Sequence, residues 1–88
     1  EFDDIAEEEQ ATWLIYPNPA KDIFHIRLDQ LEEIRKITIR ALSGKTLTTV
    51  VAPEHHSISV DLSSYPKGAY LVVLEGENRL FVKRLIKH

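Results

Sequence analysis

There is no cysteine among the 88 residues. That excludes a disulfide and a thiolate-bound metal. It is compatible with a life outside the cytoplasm but does not require one. Glycine is scarce: Gly44, Gly68 and Gly76 are the three, and none falls in a phosphate-loop or dinucleotide-binding spacing. No G-x-S-x-G elbow occurs, so a hydrolase nucleophile has no support. No apolar run reaches about 18 residues, so no segment is long enough to cross a membrane as a helix. No signal peptide is recognisable; if the sequence is exported, it is expected to belong to a longer precursor. No N-x-S/T acceptor occurs either, since Asn18 precedes Pro19-Ala20 and Asn78 precedes Arg79-Leu80.

What is present is enough for one small domain. Apolar residues make up 43% of the chain and spread from Trp13 to Ile86. A chain this short buries only about 60–65% of the surface its unfolded form exposes, so modest stability is expected.

The net charge of −3 hides an asymmetry. Residues 1–10, "EFDDIAEEEQ", hold six acids and no base. The last ten, "RLFVKRLIKH", hold four bases and no acid. The acidic end, residues 1–11, is expected to be a flexible linker. The basic end reads as an edge strand guarded by Lys and Arg.

From Thr12 the pattern is strand, turn, strand, and residues 12–88 are expected to fold as one unit. "TWLIY" is aromatic and β-branched and stops at Pro17. Pro17 and Pro19 cannot donate to a sheet ladder, and each biases the residue before it toward extended backbone. "YPNPAKD" is therefore a stiff corner. "DIFHIRL" alternates, with Phe24, Ile26 and Leu28 on one face. "DQLEE" is polar and local. "IRKITIRAL" alternates again and is followed by the hairpin turn "SGK", where Gly44 can take a positive φ. "KTLTTVV", the loop "APEHH", "SISVDL" and the turn "SSYPKG" come next. "AYLVVLE" is apolar on both faces, which predicts a central strand. "GEN" turns the chain into "RLFVKRLIK". Seven strands at spacings of about 8–12 residues predict an all-β fold, a single immunoglobulin-like antiparallel β-sandwich. The Cys-Trp-Cys core of antibody domains is missing, so only the architecture is implied.

The chemistry-bearing residues form no site. His55 and His56 are adjacent on an extended stretch and point apart, with no third ligand at metal spacing. His25 reads as a solvent-facing strand residue. Asp22, Asp29 and Asp61 fall at strand ends, where turn capping is their ordinary role. The bases are spread over every strand and form no nucleic-acid stripe. No enzyme, cofactor or nucleic-acid partner is expected.

Three landmarks stand in order: "YPNPAKDIFHI", "LSGKTL" and "VDLSSYPKGAYLVVL". A basic-apolar strand, "FVKRLIK", follows them. The ordered set resembles the C-terminal sorting domain of substrates of the type IX secretion system of Bacteroidetes-type bacteria, over about Leu14 to Lys87. The resemblance implies a domain without catalysis. It is carried behind an N-terminal passenger, often a protease or adhesin. It passes through the periplasm and is read by the secretion machinery, the outer-membrane translocon and its shuttle proteins. The passenger then reaches the cell surface or medium. A sortase-type cysteine peptidase cuts before the domain and joins the passenger to an anionic lipopolysaccharide.

Residue by residue, Tyr16, Pro17, Asn18 and Pro19 match the family's early motif. Gly68 and Tyr70 match its Gly-x-Tyr. Lys83, Arg84, Leu85, Ile86 and Lys87 match its terminal motif, with His88 where the family usually ends on Lys or Arg. The corner and the Gly-x-Tyr pair have structural roles open to them as well: a turn at Gly68, and a core position at Tyr70 with its hydroxyl near a sheet end. The terminal strand is the foremost candidate for recognition, because it offers both side chains and an edge. Removing residues 83–88 is expected to leave most of the fold but abolish export. The processing linker is assigned to Asp3, Asp4, Ile5, Ala6, Glu7, Glu8, Glu9 and Gln10, because an extended, unpaired segment enters a peptidase cleft.

The alternative reading is an immunoglobulin-like or fibronectin-like spacer or carbohydrate-binding module. It needs an exposed aromatic platform, and Trp13, at the linker edge, is the residue to watch. A homodimer through edge-strand pairing is also expected at high concentration.

Overall fold

The computed structural model describes residues 13–29 and 34–88. The expected linker and its processing residues, and most of "DQLEE", lie outside that range. Among the described residues there are seven strands: β1 (Trp13–Tyr16), β2 (Ile23–Leu28), β3 (Ile34–Ala41), β4 (Thr46–Val51), β5 (Ser57–Asp61), β6 (Gly68–Gly76) and β7 (Leu80–Lys87). They form two antiparallel sheets, β1-β2-β5 and β4-β3-β6-β7. The expected sandwich is what the chain forms.

Period-two alternation builds the core. Phe24, Ile26 and Leu28 of β2 face Ile37 and Ile39 of β3 and Tyr70, Val72 and Leu74 of β6 across the sandwich, all buried. Each such side chain contributes roughly 1.5–3 kcal/mol on burial. β6 sits between β3 and β7, as its two-sided apolar pattern predicts: Val72 faces the core and Val73, on the outer face, is also buried. The turn at Gly44, with φ of +102°, closes the β3–β4 hairpin. That backbone geometry strains a residue with a Cβ.

Trp13 is 1% exposed and belongs to the core. It carries Lys83 Nζ 5.2 Å from its ring centroid. It is therefore unavailable as a sugar platform. Tyr16 is the aromatic that reaches solvent from β1, tilted against His25 with ring centroids 5.3 Å apart.

Candidate functional site

The corner at residues 17–20 joins the two sheets. Its peptide bonds Tyr16–Pro17 and Asn18–Pro19 are both cis. Since the prolines offer no N–H, the hydrogen bonding of this stretch falls to Asn18 and Ala20. The Asn18 side chain donates from Nδ2 to the carbonyl of Arg84 at 2.8 Å. Its Oδ1 accepts the N–H of Ile86 at 3.0 Å. Ala20 continues the pairing, donating to Ile86 O at 2.7 Å and accepting from His88 N at 2.9 Å, as a parallel bridge to Lys87. One carboxamide thus stands in for a strand backbone along the C-terminal half of β7.

The turn between β5 and β6 meets the same strand from the other side. Lys87 is only 8% exposed. Its Nζ donates to the carbonyls of Leu62, at 2.8 Å, and Tyr65, at 2.6 Å. The Asp22 carboxylate is 3.8 Å away and largely exposed, so it adds little. The lysine ties the carbonyls of a turn that Tyr65 N–H also closes onto Leu62 O at 2.9 Å. Leu62 N–H in turn donates to Asp22 O at 2.6 Å, which fixes the turn to the start of β2. At the front of this turn Asp61 accepts the Ser63 N–H at 2.8 Å. That backbone bond, helped by the Ser63 hydroxyl, holds the Asp61 carboxyl below its ordinary range.

Gly68 opens β6 with φ of +146° and empty space where a Cβ would stand. The backbone angle, not crowding, demands glycine there. Tyr70 is buried and its hydroxyl donates to Pro66 O, four residues upstream. This is the tyrosine-corner arrangement of immunoglobulin-like sandwiches.

The tertiary structure therefore gathers the early corner, the Gly-x-Tyr turn and the terminal motif at one end of the sandwich, around β7. The middle landmark, at the β3–β4 hairpin, reaches this end through the carbonyl of Leu47, which accepts the Tyr65 hydroxyl in a long bond of 3.5 Å. Within the terminal motif the side chains divide by parity. Leu85 and Lys87 point inward and are buried, and Lys83 lies over Trp13. Arg84 is exposed and Ile86 half-buried on the outer face. The expectation that residues 83–88 can be removed with the fold largely kept is corrected by this burial. The cut removes Leu85 from the core and takes away the partners of Asn18, Ala20, Leu62 and Tyr65. Sequence reasoning missed the carbonyls of Leu62 and Tyr65 as partners of Lys87. One signal for its burial was available: Lys87 shares strand parity with the apolar Leu85.

Among the described residues no group of three or more His, Asp or Glu side chains is placed to hold a metal. His55 is exposed, and His56 bonds Leu28 O through Nδ1 at 2.7 Å, a link between strand ends.

A family model described as the secretion system C-terminal sorting domain matches residues 14–88. The chain belongs to that family. The match spans every landmark named above, from the Pro-Asn-Pro corner to the terminal basic strand. No curated protein sequence matches the chain. The family is that of type IX secretion sorting signals, not an enzyme family. Membership implies interaction with that secretion machinery and export to the cell surface or the extracellular space.

Proposed function

We propose that the chain is a removable, folded sorting signal. It travels through the periplasm behind its passenger and is recognised there as a folded sandwich. Recognition falls to the end of the molecule where Pro17, Asn18 and Pro19, Gly68 and Tyr70, and Lys83 to Lys87 converge. The observation that supports this is the pair of ties on β7: Asn18 on its outer edge and Lys87 into the β5–β6 turn. Each sequence landmark involved holds another in place, so the fold and the signal stand or fall together. Asn18, Gly68, Tyr70, Leu85 and Lys87 shape the surface, and outward residues such as Arg84 touch the partner. After transport, a sortase-type cysteine peptidase cuts within the acidic segment, at or before residues 3–12, and transfers the passenger to an anionic lipopolysaccharide. Residues 1–10 hold six acids and no base, a composition that suits a peptidase cleft better than a core.

The experiment is a transport assay. Residues 1–88 are fused behind a fluorescent protein that carries a signal peptide, in hosts with and without a working type IX system. Fluorescence outside the cell only when the system works is the expected result. Folded domain retained in the periplasm of both hosts would instead support a spacer or binding module. Mass spectrometry of the released passenger then locates the cut; a cut inside residues 13–88 would overturn the linker assignment.

A further inference from the structure

The outer face of the four-stranded sheet carries a row that the sorting landmarks do not explain. Arg40 of β3 lies opposite Leu71 of β6, and Leu71 lies opposite Arg84 of β7. The two arginines are two strand spacings apart, roughly 10 Å between backbones. In the neighbouring row on the same side, buried Thr38 lies opposite Val73 and Val73 opposite Val82, and Leu80 beyond it is 63% exposed. The face also holds Glu75, but that carboxylate is taken by Lys36 at 3.5 Å. Among the described residues no carboxylate pairs with Arg40 or Arg84. Moreover, Nε of Arg40 is buried without a hydrogen-bond partner. A desolvated donor left unmade is unfavourable, so its retention asks for an explanation.

We propose that this face docks an acidic segment of a protein partner, with two carboxylates meeting Arg40 and Arg84 and an apolar side chain between them over Leu71 and Val82. Arginine suits the task because its planar fork binds carboxylates in a bidentate manner. A second copy of the chain is a poor occupant, since the same patch meeting itself brings guanidinium against guanidinium. The proposal rests on the sorting reading, in which the partner belongs to the secretion machinery. It adds the chemistry of that partner and two residues, Arg40 and Leu71, that no landmark includes.

The test uses the fluorescent fusion of residues 1–88 in the type IX host. The variants are R40E, R84E, R84Q and R84K, with R27E on the opposite sheet as control. Thermal melts of the purified chains report folding. The expected result is an export loss of about tenfold or more for R40E and R84E. Smaller, partial losses are expected for R84Q and for R84K, which keeps the charge but not the bidentate fork. Near-normal export is expected for R27E, and unchanged melting for the Arg84 and Arg27 variants. R40E removes the unpartnered Nε, so its melt is compared with its export before the loss is assigned to docking. If the parent fusion is not exported, the sorting reading itself fails and the proposal falls with it. Parent exported together with R40E and R84E at parental levels overturns the docking face alone. If R84K falls as far as R84E, the partner group is not a carboxylate read by charge. Two further results reassign the occupant and overturn the proposal. One is a dimer in sedimentation equilibrium that R84E dissolves, which makes it a second copy. The other is an R84E loss of melting temperature that vanishes when Asp3, Asp4, Glu7, Glu8 and Glu9 are converted to amides, which makes it the chain's own acidic segment.

Discussion

The carboxamide of Asn18 bridges Arg84 O and Ile86 N–H, 66 and 68 residues further along the chain, with bonds of 2.8 and 3.0 Å. A side chain placed between two prolines does here what a strand backbone does elsewhere. It covers part of an edge that would otherwise invite another chain.

Asn18→Ala removes both bonds at an exposed position. A loss of about 1–2 kcal/mol is expected, by urea denaturation. The uncovered edge should also raise self-association, seen as a concentration-dependent mass in light scattering. An unchanged midpoint together with an unchanged mass would show that the clamp does neither.

Lys87→Met keeps the aliphatic stem but leaves the carbonyls of Leu62 and Tyr65 without their ammonium donor. The expected cost is about 2 kcal/mol or more. Hydrogen exchange should show the loosening first in residues 62–68. If protection there is unaffected while export stops, Lys87 is read by the partner in spite of its burial.

Gly68→Val imposes a Cβ on a backbone at φ +146°. No atom crowds it, so the expected loss, about 1–3 kcal/mol, comes from the backbone alone. Tyr70→Phe removes only the hydroxyl's bond to Pro66 O, at about 1 kcal/mol. Circular-dichroism melts compare the two. A well-folded Gly68→Val chain that is dead for export would make Gly68 a contact residue.

The Asp61 carboxyl is held below its ordinary range by the Ser63 N–H and hydroxyl. A depressed folded value means stability present at neutral pH and lost as pH falls from the ordinary carboxylate range, about 4, through the folded value. Asp61→Asn should therefore melt below the parent near pH 7, and the gap should close toward about pH 2. A gap that stays constant over that range would mean the charge contributes nothing.

Alternation and turn chemistry by themselves determined much of this protein. They fixed seven strands and their inward faces, from Phe24, Ile26 and Leu28 to Ile37 and Ile39. They made β6 central, since a strand apolar on both sides has nowhere else to go. The ordered landmarks carried the family. These are local signals, written within stretches of five to ten residues, so a single reading of the chain recovers them. Tertiary structure alone decided the partners. It brought Asn18 to the edge of β7, drew Lys87 into the β5–β6 turn and buried Trp13. It also set Arg40 and Arg84 on either side of Leu71. Contacts between residues more than 20 positions apart depend on which strands become neighbours and in what register. That choice is made by packing two sheets face to face, and no local period encodes it.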